Sequence, residues 1–158
     1  MTCDRPSHRA EILLATLARL RTIQRVTGYR TDAGLSVIVG ALTLGPDDPF
    51  EAICLLPART TPLGSPIGEH VAVDLPLQIA GVARVSSWQE YADAWLRSEA
   101  MIADVIQAME TEDRTLGGLV HGDLRRGDVE PIERDGGAMD VGMLVTYHAP
   151  YRTAWGGI

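Results

Sequence analysis

Between residues 71 and 79 the chain alternates without a slip. Val71, Val73, Leu75, Leu77 and Ile79 stand on one side, with Ala72, Asp74, Pro76 and Gln78 on the other. A period of two puts one set of side chains on each face of a strand, which predicts a half-buried antiparallel strand. Pro76 cannot donate to a ladder, which places that stretch at an edge or a bulge. The period then changes. From Ser87 to about Thr111, Trp88, Tyr91, Trp95, Ile102, Val105, Ile106 and Met109 share one side of a helix. Asp93, Arg97, Asp104 and Gln107 share the other. Ser87 and Glu90 match the N-cap and N3 positions of a capping box. A one-faced strand followed by a one-faced helix predicts a sheet with helices packed on it.

The remaining elements follow from the same two periods. A first helix is expected over roughly residues 7 to 25, where Ile12, Leu13, Thr16, Leu17, Leu20 and Ile23 fall on one arc. Leu14 lies off that arc, and Gly28 is a stop signal. Tyr29 to Gly34 reads as a loop. Residues 35 to 44 are rich in β-formers and end at Gly45-Pro46-Asp47-Asp48-Pro49, a turn. Residues 50 to 56 are apolar on both faces and predict a central strand. Residues 57 to 68 are rich in Pro, Gly and Thr and are expected to form a mobile loop. Thr115-Leu116-Gly117-Gly118-Leu119 forms a loop after the second helix. Strands are expected at 129 to 134 and 141 to 147, separated by a turn at Asp135-Gly136-Gly137, with a tyrosine-rich tail beyond. The expected fold is one α+β domain, with a mostly antiparallel or mixed sheet carrying two helices on one face.

The 158 residues fit one domain. No apolar run approaches the ~20 residues of a membrane span, and the first residues lack the apolar stretch of a secretory signal. The cysteines Cys3 and Cys54 are far apart, and Cys54 sits in an apolar run, so a buried thiol is expected rather than a disulfide. Net charge is −7, and all 14 basic residues are arginines. An acidic chain is poorly suited to wrapping a DNA backbone, whereas arginine suits protein interfaces.

Motifs for chemistry are weak. His121-Gly122-Asp123 could suggest a phosphotransferase loop, yet that chemistry needs a lysine and an asparagine, and the chain contains neither. His8, His70, His121 and His148 are not paired at helical spacing with other ligands, and no C-x-x-C occurs. No G-x-S-x-G elbow is present. Arg126-Gly127-Asp128 matches an adhesion tripeptide by chance. The Trp88/Tyr91/Trp95 stripe reads as core, with a binding groove as the alternative. No enzyme activity, cofactor or metal is expected.

The order of parts resembles a family of virion proteins. "HRAEILLATLARLRTIQRVTGYRTDAGLSVIVG" is similar to their opening helix, Gly-Tyr link, loop and strand. "SWQEYADAWLRSEAMIADVIQAMETEDRTLGGLV" resembles their second helix, which runs into a TLGG loop. "MDVGMLVTYHAPYRT" resembles their last strand. The family is that of tail terminator and minor tail proteins of long-tailed bacteriophages and gene transfer agents. The resemblance implies a non-enzymatic subunit of a sixfold ring that caps the tail tube. Its implied partners are further copies of itself, the major tail tube protein and head–tail connector proteins. DNA would pass the bore without specific binding, and no membrane is involved. The implied location is the virion tail, assembled in the bacterial cytoplasm. Arg30, Asp32, Arg59, Arg125, Arg126, Tyr147, Tyr151 and Arg152, placed in loops or at a strand end, are the expected subunit and partner contacts. A connector or head-closure protein is the near alternative. A small-ligand binder or enzyme using the Trp88/Trp95 face is the distant one.

Overall fold

A computed structural model describes residues 6–134 and 139–154. Two helices, α1 (His8–Leu20) and α2 (Tyr91–Glu110), cover one face of a six-stranded sheet. The strands are β1 (Val37–Val39), β2 (Glu51–Pro57), β3 (Thr61–Pro62), β4 (His70–Arg84), β5 (Arg125–Pro131) and β6 (Asp140–Ala154). They run in the order β1-β2-β4-β6-β5, and β3 adds to β4. Only β1 and β2 are parallel. The fold is thus a single α+β domain with a mixed sheet, as expected.

The β4–β6 pair is the spine. It is in register from His70↔Ala154 to Arg84↔Asp140. On the helix side, Leu75, Leu77, Ile79, Val145 and Tyr147 meet Ile12, Leu20, Met101 and Val105 in the main core. Gly81 lets α2 come close. A Cβ there would lie 2.7 Å from the Met101 Cβ, too near for any side chain. Beside it, Ser98 Oγ donates to the Gly81 carbonyl at 2.6 Å and accepts from the Met143 N–H at 2.8 Å.

The opposite sheet face is divided. Near the end of β4, Cys54, Ala80, Val82 and Leu144 are covered by Ile38, Leu42, Leu44 and Ile132. The other half of that face, near the start of β4, carries Asp74, His148 and Arg152. Burial pushes the Cys54 thiol from 9.0 up to about 12, with the negative charge of Asp140 adding to the effect.

Several expectations are corrected. The strand expected over 35 to 44 is only Val37–Val39, because Gly40, at φ +94°, turns the chain away. The residues after it then cross the sheet and supply Leu42 and Leu44 as cover. Phe50 lies outside β2, is 45% exposed and stacks under the Arg97 guanidinium. Pro76 is not at an edge. Its carbonyl accepts from Ala58 N–H, which lies between β2 and β3. In an antiparallel strand a residue's N–H and C=O point the same way, so the missing N–H would have met the Ala58 carbonyl, which accepts from Arg9 Nη2 at 3.0 Å instead. The segment 57 to 68 is not wholly without regular structure. Arg9 bonds Thr60 Oγ1 and the Ala58 carbonyl, Thr61–Pro62 pairs with β4, and Ile67 pairs with His70. The first helix ends at Leu20, and Gly28 closes a separate single turn at Arg25–Thr27. The capping box does not form. The Glu90 N–H bonds the Ser87 carbonyl in a single 3₁₀ turn, and the Ser87 side chain makes no cap bond. β5 starts four residues early, at Arg125. The tail continues β6 to Ala154. The Asp135-Gly136-Gly137 turn and Cys3 lie outside the described residues.

Asp104, placed by the helical wheel with the solvent-facing residues, is 0% exposed. Its carboxylate accepts from Arg30 N–H at 3.0 Å, Thr31 N–H at 2.8 Å and Thr31 Oγ1 at 2.8 Å. Removing it strands buried donors. Asp104→Ala is therefore expected to cost about 3 kcal/mol in urea unfolding, with Asp104→Asn between it and the parent. A loss below about 1 kcal/mol would show that water replaces the carboxylate. The buried thiol gives a second expectation. With Cys3→Ser, Cys54 should resist a disulfide reagent at pH 8 until the chain unfolds. Because its folded value is raised, the stability it confers is intact below about pH 9 and declines as pH rises toward 12, by up to about 1.4 kcal/mol per pH unit. Cys54→Ala should flatten that decline.

Candidate functional site: a groove and an aromatic knob at opposite ends

The eight expected contact residues do not form one surface. Tyr147 is 0% and Tyr151 2% exposed, so both leave the list of contacts. They point to the helix side because they sit at odd positions of β6, in phase with Val145 and Ala149. The Tyr147 hydroxyl donates to Glu110 Oε1 at 2.8 Å. Burial first, and that carboxylate second, raise its pKa. The Tyr151 ring stacks on His8, with centroids 5.1 Å apart.

Arg30 is anchored to Asp104, through its backbone and through Nη1 at 3.4 Å. Asp32 accepts the Arg25 backbone N–H at 2.8 Å and is half exposed. Both shape the link between α1 and β1. Arg126 lies on the helix side, 3.2 Å from Glu110 Oε1. Arg59, Arg125 and Arg152 are exposed, and none has a carboxylate within ion-pair distance among the described residues. Arg125 is opposite His148, and Arg152 is opposite Ala72.

These last two border a polar strip on the uncovered half of the sheet face. His148 Nδ1 is 2.6 Å from Asp74 Oδ2. Asp74 is 7% exposed, and its other oxygen is buried without a partner. The pair fixes the imidazole, and its Nε2 faces Gly127 in the β5 bulge, 3.8 Å from where a Cβ would stand. An imidazole oriented by a carboxylate can act as a base. No hydroxyl or thiol bonds Nε2 among the described residues, so a nucleophile partner is not in place. No three His, Cys, Asp or Glu side chains converge there in metal-ligand fashion among the described residues. Next to this strip, a groove of about 470 Å³ is lined by Ser65, Ile67, His70, Ala72 and Arg152.

The far end of the sheet carries a different feature. Trp88 is 86% exposed and Tyr91 37%, so the aromatic stripe expected in the core is only anchored there by Trp95. The rings follow one another at centroid distances of 6.0 and 6.4 Å. The stripe begins in the 3₁₀ turn, ahead of the helix whose spacing was used to place it, so Trp88 escapes the covered face. Leu96 is 69% exposed nearby on α2.

The TLGG loop is structural. Asp113 accepts from Thr115 N–H, Thr115 Oγ1 and Gly117 N–H at 2.8, 2.5 and 2.7 Å. The Thr115 hydroxyl first, then the two backbone bonds, lower its pKa. The turn needs left-handed backbone at Leu116, Gly117 and Gly118, and it delivers Leu116 and Val120 to the core. His121 follows, bonding the Pro150 carbonyl through its N–H and lying 3.5 Å from Arg152.

Compared with known protein families and with curated proteins, the chain matches none. Among the described residues no helix is long and apolar enough to cross a membrane.

The sequence offered no signal for the Asp74–His148 pair, because register alone brings residues 74 and 148 together. The two adjacent arginines separate cleanly in consequence. Arg126→Glu should lose about 1 kcal/mol by placing a carboxylate beside Glu110, while Arg125→Glu should stay within about 0.5 kcal/mol. Thermal melts of the two variants decide this, and equal losses would contradict the opposite facing of the two side chains.

Proposed function

We propose that this chain is a structural subunit of a ring that caps the tail tube of a long-tailed bacteriophage, prophage or gene transfer agent. The ring ends tail polymerisation and offers a surface to the head connector. The observation that carries this reading is the exposed Trp88, standing with Tyr91 on the outside of a chain that already has a full core. Large apolar side chains grouped in that way mark protein interfaces. The order of helices and strands agrees with what the resemblance implied. The acidic balance suits a bore through which DNA moves without adhering, since like charges repel. Copies meeting head to tail close into a ring only when the rotation between them is right. The partners are other copies of the chain, the tail tube protein and the connector proteins, and the site of action is the virion tail.

A head–tail connector role uses the same surfaces. A small-ligand binder is the second reading, favoured by the oriented His148 beside a groove of about 470 Å³.

Light scattering on a sizing column tests the leading reading. A species of six 17.1 kDa chains is expected as concentration rises, or upon addition of purified tail tubes. A monomer throughout, with no capture by tubes, would overturn it.

A further inference from the structure

We infer that Trp88 of one copy docks in the groove between Ile67 and Arg152 of the next copy. This rests on the ring reading and assigns the two surfaces that make its repeating contact.

The knob is preorganised. Trp88 is held upright by Tyr91, which meets Trp95, and Trp95 packs against the core. Docking it costs little side-chain freedom, and an indole contributes a large contact area. Beside it, Glu90 is exposed and makes no ion pair among the described residues.

The groove is complementary in shape and charge. Its volume of about 470 Å³ exceeds an indole side chain, and Ile67, 86% exposed, and Ala72 supply apolar lining. Among the described residues Arg152 has no carboxylate within ion-pair distance and only a 3.5 Å contact with the His121 ring, so its guanidinium can lie on an aromatic face or take a carboxylate. Ser65 and His70 are the other polar groups of the lining, and Glu69 at the hairpin tip is not among its lining residues. An aromatic residue with a glutamate two positions on fits a cationic, half-apolar slot.

The two surfaces cannot meet within one molecule. The groove flanks the start of β4, and Trp88 follows its end. Ala72 and Arg84 are about 40 Å apart at ~3.4 Å per residue. A knob at one end and its hole at the other allow a heterologous, head-to-tail contact that repeats from copy to copy, and the ring reading selects it over a reciprocal exchange of knobs between two copies.

Cross-linking tests this in the full chain with Cys3→Ser, with Trp88 intact and the groove altered only by the exchange of one lining hydroxyl for a thiol. One preparation carries Gln89→Cys and the other Ser65→Cys. Mild oxidation should give disulfide-linked pairs in the mixture and not in either preparation alone. A chain carrying both Gln89→Cys and Ser65→Cys should link into species longer than dimers, and linked pairs in a single preparation, or doubly substituted chains that link into dimers and nothing longer, would mean a two-fold contact and overturn the assignment. In parallel, Trp88→Ala should raise the dissociation constant for assembly at least tenfold without lowering the melting temperature of the monomer, and Arg152→Glu should do the same. If the parent forms hexamers and both variants form them equally well, the knob-and-groove assignment falls while the ring stands. If the parent never assembles, with or without tail tubes, the ring reading falls and the assignment with it.

Discussion

One buried carboxylate organises the helical layer. Asp104 lies inside α2 with no exposure, and its oxygens collect the amides of Arg30 and Thr31 and the Thr31 hydroxyl. A buried charge is tolerated only when such donors surround it. Here the donors belong to the link between α1 and β1. The link is thereby held against the second helix, which fixes where α1 leaves the layer and where β1 enters the sheet. Gly34 continues the arrangement, since a Cβ there would lie 2.6 Å from the Leu20 and Ile23 carbonyls. The sheet below can then keep one face wholly for helices.

That division explains why the other face is heterogeneous. The crossing segment that joins the parallel strands β1 and β2 covers only the half near Cys54 and Val82. The half near Asp74 and His148 carries polar side chains, and among the described residues no apolar segment covers it as Leu42 and Leu44 cover the other. Arginines without a carboxylate partner among the described residues border it, although the chain as a whole is acidic. Net charge describes solubility, whereas the distribution of unpaired charge describes where a partner can bind.

Much of the fold was legible in the sequence, because both periods are statements about burial. The alternation of Val71 to Ile79 and the wheel through Ile102, Val105 and Met109 each identified a true core face. The failures have particular causes. Asp104 was read as a solvent residue because periodicity reports position on a wheel and not what stands opposite. Trp88 was read as core because the helical angle was extended through a 3₁₀ turn. Pro76 was read as an edge because sequence cannot show that one neighbouring strand ends and another begins beside it. The tyrosines of the tail were read as contacts because the length of β4 could not be seen to reach them. The candidate site was least legible. Its groove joins a hairpin to a strand from the far end of the chain, and no local pattern encodes that meeting.

The long β4–β6 ladder has a mechanical consequence. Its hydrogen bonds lie perpendicular to the strands and span both elements from end to end. A pull directed along the strands therefore loads all of these bonds at once, in shear, and none can yield before the others. A pull across the strands would open them one at a time, as a zipper does. The molecule is thus stiff along the line that joins its groove to its tryptophan. Tension passed from one copy to the next along that line would run through the β4 backbone, and the share that enters at Arg152 on β6 would be spread over the ladder bonds.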